Sequence, residues 1–132
     1  VYKRQVQSGS AFAAEEAIRD IFMTRDTLPD VMICLNEQNT TCVYQAVVDY
    51  NKVGDIEIVG YYESDMIRSA IRKDIIHSSV TLDTKQMGRY CVDALTEYQE
   101  SGYANEYFAV DISLLDAQTL GEGGADDAQE TD

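Results

Sequence analysis

One pattern occurs three times in this chain: an apolar run of strand length, a polar or acidic turn, then a stretch with helical periodicity. The first unit runs Val31-Met32-Ile33-Cys34-Leu35, turns at Asn36-Glu37 and continues to Tyr50. The second runs Ile56-Glu57-Ile58-Val59-Gly60, turns at Tyr61-Tyr62-Glu63-Ser64 and continues to Ile71. The third runs His77-Ser78-Ser79-Val80-Thr81, turns at Leu82-Asp83 and continues to about Glu100. Apolar strands alternating with helices predict an α/β fold, a three-layer αβα sandwich with a mainly parallel sheet. In such sheets, ligands sit outside the carboxyl ends of the strands. That rule gathers Asn36, Glu37, Tyr62, Glu63 and Asp83 onto one rim.

The flanking segments fit the same plan. Residues 6–10 read as a strand end and its turn, and residues 11–25 as a helix with Ala14, Ala17, Ile18, Ile21 and Phe22 on one face. Pro29 bars helical continuation into the next strand. Val31–Leu35 is uniformly apolar, as a strand buried on both faces should be. Helices are expected over 39–51, 64–73 and 84–100. For the last, Asp83 is the N-cap, Gln86 completes a capping box, and Gly102 supplies a left-handed stop. Met87, Cys91, Ala94, Leu95 and Tyr98 form its inner stripe. A last strand is expected over 106–112, and no period of roughly 20–50 residues marks a repeat array.

Composition bounds the function. With 132 residues the chain suits one domain. A net charge of −14 argues against nucleic acid and anionic membranes, whose phosphates need clustered Lys and Arg. Cys34, Cys42 and Cys91 have no CxxC spacing and occupy apolar positions, so they read as small buried hydrophobes. No apolar run is long enough to span a membrane. No cofactor or metal site is expected: His77 is the single histidine, and no phosphate loop, HExxH or GxSxG is present. Neither Glu15-Glu16 nor Asp126-Asp127 looks like a catalytic pair, so no catalytic residue is expected. Asn39-Thr40-Thr41 fits a glycosylation acceptor, a three-residue match too common to carry weight.

Three elements together carry a resemblance. Leu28-Pro29-Asp30-Val31-Met32-Ile33-Cys34-Leu35-Asn36-Glu37 resembles a "P-D-apolar strand-N-D" element. Ile58-Val59-Gly60-Tyr61 resembles a "V-V-G-F" strand end, and Ser79-Val80-Thr81 followed by Gln86-Met87-Gly88 resembles an "A-T-V … Q-M-G" segment. In this order they resemble the C-terminal lobe of a type I periplasmic binding protein, from about Gln7 to Asp116. That superfamily includes the sugar-binding proteins of ABC importers and the effector domains of lactose-repressor-type regulators. The resemblance implies an extracytoplasmic solute-binding protein that closes two lobes over a small polar ligand, a sugar first, for an ABC permease. The alternative is a ligand-sensing domain of a transcription regulator or receptor kinase. It also implies that the N-terminal lobe and the first strand–helix unit of this lobe are missing, leaving half a site and bare apolar surface.

The site residues follow from the same resemblance. Asn36 matches the family Asn that hydrogen-bonds sugar hydroxyls, and its amide both donates and accepts; a helix cap is the competing role. Glu37 stands where relatives have Asp, or helps cap the next helix. Tyr62 replaces a sugar-binding Asp, so Glu63 is expected to supply the carboxylate or Tyr62 to stack on a ring face. Leu82 departs from a polar Gln, and Asp83 beside it serves as ligand contact or cap. Ser8 and Ser10 end another strand, where turn formation explains them. A phosphoacceptor receiver on a similar sheet is disfavoured, because Asn36-Glu37, Tyr62-Glu63 and Leu82-Asp83 do not give its acidic cluster and Lys.

The expected organisation is therefore in three parts. Residues 1–5, Val1-Tyr2-Lys3-Arg4-Gln5, resemble the translation of a transposase-end sequencing adaptor and are expected to be non-native. Residues 6–116 form the incomplete lobe. Residues 117–132 form a disordered acidic tail, with Glu122, Asp126, Asp127, Glu130 and Asp132 and no basic residue.

Overall fold

Side-chain caps set where the helices begin. The computed structural model describes residues 10–122. Ser10 Oγ accepts the Ala13 N–H and starts α1 (Ala11–Thr24). Asn36 starts α2 (Glu37–Asp49), Ser64 starts α3 (Asp65–Arg72) and Asp83 starts α4 (Thr84–Ser101), each through a side-chain oxygen on a first-turn amide. The strands between them are β1 (Val31–Ile33), β2 (Glu57–Tyr61), β3 (Ser78–Leu82) and β4 (Ile112–Asp116), and a short α5 (Ala117–Glu122) follows. The sheet order is β1-β2-β3-β4. β1 pairs with β2 in parallel, Met32 opposite Ile58, and β2 with β3 in parallel, Gly60 opposite Ser79. The fold is mixed α/β with a mainly parallel sheet, as the alternating pattern predicts.

Two compact units are present: the described residues to Val80 with those from Leu114 on, and Thr81–Ser113. The first holds the core. Ala14, Ile18 and Phe22 from α1, Val43, Ala46 and Val47 from α2, and Ile67, Ala70 and Ile71 from α3 are buried with Ile58 and Ile76. Fully burying each such large side chain is worth about 1.5–3 kcal/mol. Phe22 stacks on Tyr50 at 5.3 Å. The face expected of α1 from the 3.6-residue period is the one that packs inward, with Ala14, Ile18 and Phe22 buried.

Several expectations fail, each for a physical reason. β1 is shorter than predicted and is an edge strand among the described residues. Val31, Ile33 and Leu35 are 49%, 69% and 75% exposed, because among the described residues no packed layer covers the face they share. The last strand is Ile112–Asp116, and residues 106–111 form no strand. There the apolar run is spent otherwise: Phe108 packs on Tyr90 at 5.3 Å and Asp111 bonds to Gln86. Residues 117–122 of the expected tail are helical, with Leu120 buried in the core. The adaptor-like residues, the strand end before Ser10 and residues 123–132 lie outside the described residues.

The second unit departs most. No residue of α4 is buried, and Met87, Leu95 and Tyr98 of its expected inner stripe are exposed. Cys91 is exposed too, unlike Cys34 and Cys42. One helix and a loop are too short to enclose a stripe. Gly102 does end α4 in the left-handed conformation, φ +74°.

Candidate functional site

The rim is built where β1 and β2 stop. Asn36 is the N-cap of α2: its Oδ1 accepts the Asn39 N–H at 2.7 Å, and it is exposed. That bond engages the amide oxygen, so donation from Asn36 falls to its side-chain amide nitrogen. Glu37 is the first residue of α2, also exposed, and does not itself cap. A carboxylate there complements the positive end of the helix dipole.

Tyr62 follows β2 directly. Its backbone sits at φ +83°, in the left-handed region. For a tyrosine that costs about 1–3 kcal/mol and persists only where neighbours impose it. Its amide donates to Val80 O at 2.7 Å, and its carbonyl accepts the Ser79 hydroxyl at 2.6 Å. The residue is 39% exposed. Glu63 is half-buried and paired with the Arg68 guanidinium from α3. The carboxylate expected to replace the family Asp is thus already engaged, a fact that needed Arg68 to be seen in space.

Asp83 belongs to the second unit. Its Oδ1 accepts the Gln86 N–H at 2.8 Å, so it caps α4. The expected capping box does not close. Gln86 turns instead to Asp111, donating from Nε2 at 2.9 Å and accepting the Asp111 amide at 2.7 Å. Ser10 caps α1, and His77 precedes β3, exposed beside Glu57 at 3.1 Å.

Two hydroxyls that sequence reasoning passed over lie beneath the rim. Thr40 is fully buried in α2. Its hydroxyl donates to Asn36 O at 2.8 Å and accepts the Tyr61 N–H at 3.1 Å. Ser79, fully buried in β3, donates to Tyr62 as given above. Gly60 lies between them: a Cβ there would stand 2.6 Å from Thr40 Cγ2 and 3.2 Å from Ser79 Oγ. The sequence carries no signal for either, since Thr40 sits beside Asn39 and Thr41, and Ser79 beside Ser78.

Burial pushes the Cys34 thiol up to about 11, with the Thr40 side chain opposing the rise. Burial also raises Cys42, and nearby Glu15 adds to it. Asp116 is lowered by hydrogen bonds from the Thr119 amide and hydroxyl. Among the described residues no cluster of His, Cys, Asp and Glu suits a metal ion, and no helix is long and apolar enough to cross a membrane. A small cleft beside α1 and α2, lined in part by Glu15, Arg19, Gln45 and Asp49, contains no rim residue.

No family model and no curated protein matches the chain. Solved structures do. A solute-binding protein of an ABC transporter from Agrobacterium vitis, bound with α-D-tagatopyranose, superposes with a TM-score of 0.83 at 11% identity, over 94% of this chain and 41% of that one. The myo-inositol binding protein of Caulobacter, bound to myo-inositol, gives 0.74 at 20% identity, over 85% and 38%. A chain of the XylFII-LytSN complex gives 0.72 at 18%, over 84% and 38%. The chain spans about two-fifths of the length of these structures. Its fold is that of the type I periplasmic binding proteins, over that share of their length.

Proposed function

We propose that this chain is part of an extracytoplasmic solute-binding protein that takes up a small polar ligand, a sugar, for an ABC permease by closing two lobes. The observation that carries the reading is the placement of Asn36 and Tyr62 at the carboxyl ends of two adjacent parallel strands, on a fold whose relatives include sugar-binding proteins. In this reading Asn36 donates from its free amide N–H groups to ligand hydroxyls. The Tyr62 ring offers an apolar face to the ring of a sugar. Glu37 adds an exposed acceptor beside Asn36. Glu63 acts through its pair with Arg68, which presents a charged edge, and Asp83 serves as the cap of α4. The role is binding, with no catalytic residue and no cofactor.

A second reading is a ligand-sensing domain that hands its state to a partner protein. It is favoured by one relative's having been solved as a complex of two differently named proteins.

The test is thermal-shift screening of a two-lobed protein carrying this chain, against D-tagatose, D-fucose, D-galactose, myo-inositol, nucleosides and amino acids. A ligand specific to the folded state stabilises it by about 3 kcal/mol at a hundredfold excess over Kd. The expected result is a sugar-dependent rise in Tm that Asn36→Asp abolishes. No shift with any sugar or polyol overturns the sugar reading.

A further inference from the structure

The end of β2 has an accounting problem that the structure solves in one place. β1 stops at Ile33, opposite Val59, and the Cys34 amide takes Val59 O at 2.8 Å. Beyond that point β2 has lost its β1 partner, yet the Tyr61 amide still needs an acceptor. Thr40 Oγ1 provides it at 3.1 Å, and the same hydroxyl donates to the Asn36 carbonyl at 2.8 Å. One side chain therefore joins the end of β2 to the head of α2. On the opposite side, the Ser79 hydroxyl and the Val80 carbonyl hold the Tyr62 carbonyl and amide at 2.6 and 2.7 Å. Both hydroxyl residues are fully buried. Gly60 is what lets them approach, since a methyl group there would meet both.

We propose that Thr40 and Ser79 are positioning residues for the rim: their buried hydroxyls hold Asn36 at the head of α2 and Tyr62 in its left-handed conformation, and neither touches the ligand. The proposal rests on the reading of Asn36 and Tyr62 as ligand contacts. Its chemistry is that of two hydroxyls whose single protons are already committed. Thr40 gives its proton to Asn36 and its lone pair to Tyr61, and Ser79 gives its proton to Tyr62. Neither has a donor left for a solute. The left-handed backbone at Tyr62 is held by hydrogen bonds on both its polar groups, so freeing its carbonyl lets the residue relax away from φ +83°.

The experiment is residue-resolved amide hydrogen exchange on the ligand-free two-lobed protein carrying this chain. Thr40→Val, close in shape but without the hydroxyl, should speed exchange at Tyr61 by about tenfold or more, while the amides of Ile58 and Ile71 keep their protection. Thr40→Ser keeps the hydroxyl and should restore protection at Tyr61. Ser79→Ala is the second variant, for the case in which Thr40→Val fails to fold, and should speed exchange at Tyr62 alone. Acceleration spread evenly over the core, no acceleration at all, or no rescue by Thr40→Ser overturns the proposal. Affinity for D-tagatose and myo-inositol is read separately. A wild-type protein that binds no sugar overturns the reading of the rim, whereas a rim that stays protected in Thr40→Val and Ser79→Ala overturns the positioning role.

Discussion

Gly60→Ala should be among the most damaging single-methyl additions this chain can receive. The new Cβ would sit 2.6 Å from Thr40 Cγ2 and 3.2 Å from Ser79 Oγ, where ordinary contact begins near 3.4 Å. Neither neighbour can swing aside. Thr40 is fully buried and its hydroxyl is committed to Asn36 and Tyr61, and Ser79 is fully buried and committed to Tyr62. Overpacking of this kind costs about 1–3 kcal/mol. For a domain of this size that is a fall in Tm of roughly 4–15 °C. Circular dichroism melts of wild type, Gly60→Ala and the double variant Gly60→Ala with Thr40→Ser measure it. The serine lacks the Cγ2 methyl that makes the shortest contact but keeps the hydroxyl, so the double variant should recover much of the loss. Gly88→Ala is the control. Its Cβ would meet nothing within 4 Å, and alanine suits the interior of α4 better by about 1 kcal/mol. A Gly60→Ala protein as stable as wild type, or a double variant less stable than Gly60→Ala, refutes the steric account.

The other predictions need less construction. Asn36→Ala should lower stability by about 1 kcal/mol through loss of the α2 cap, whereas Asn36→Asp keeps the acceptor and should melt at or above wild type. Gly102→Ala forces a side chain into φ +74° and should cost about 1–2 kcal/mol by urea titration. In thiol titration at pH 8 exposed Cys91 should react quickly, and Cys34 only on unfolding. Because the folded pKa of Cys34 lies above its unfolded value, its thiol favours the folded state below about pH 9. That contribution is lost as pH rises through about 11, on the order of 2–3 kcal/mol. Cys34→Ala should flatten that part of a stability–pH curve, and an unchanged curve would remove Cys34 as its cause.

What the sequence made legible was local. Asp83 followed by a helical stretch, and Gly102 at its end, are signals written in adjacent residues, and both caps are present. The buried faces of α1, α2 and α3 follow from 3.6-residue spacing, which needs no knowledge of neighbours. Burial of β1 was different, because an apolar run says that a strand wants cover and not whether cover exists. The same holds for the α4 stripe. β4 was misplaced because Tyr107-Phe108-Ala109-Val110 has strand composition while Ile112–Asp116 has the partner. At the site, Asn36 and Tyr62 were visible as strand-end residues. The Glu63–Arg68 pair and the hydroxyls of Thr40 and Ser79 were not, since each depends on which backbone group is left without a partner once the strands have paired.

The bare edge of β1 has a consequence for how the chain behaves in company. Val31, Ile33 and Leu35 stand in water, and among the described residues β1 has one strand beside it. Within Val31–Ile33 there is neither lysine nor proline to deter pairing, and its protection is its shortness and the Pro29-Asp30 before it. Among the described residues its outer amides and carbonyls face no strand, the arrangement that favours pairing with another extended segment. Association should therefore grow with concentration in spite of a net charge of −14, and salt, by screening that charge, should hasten it. A charge placed at Ile33 would turn a sticky seam into an ordinary surface.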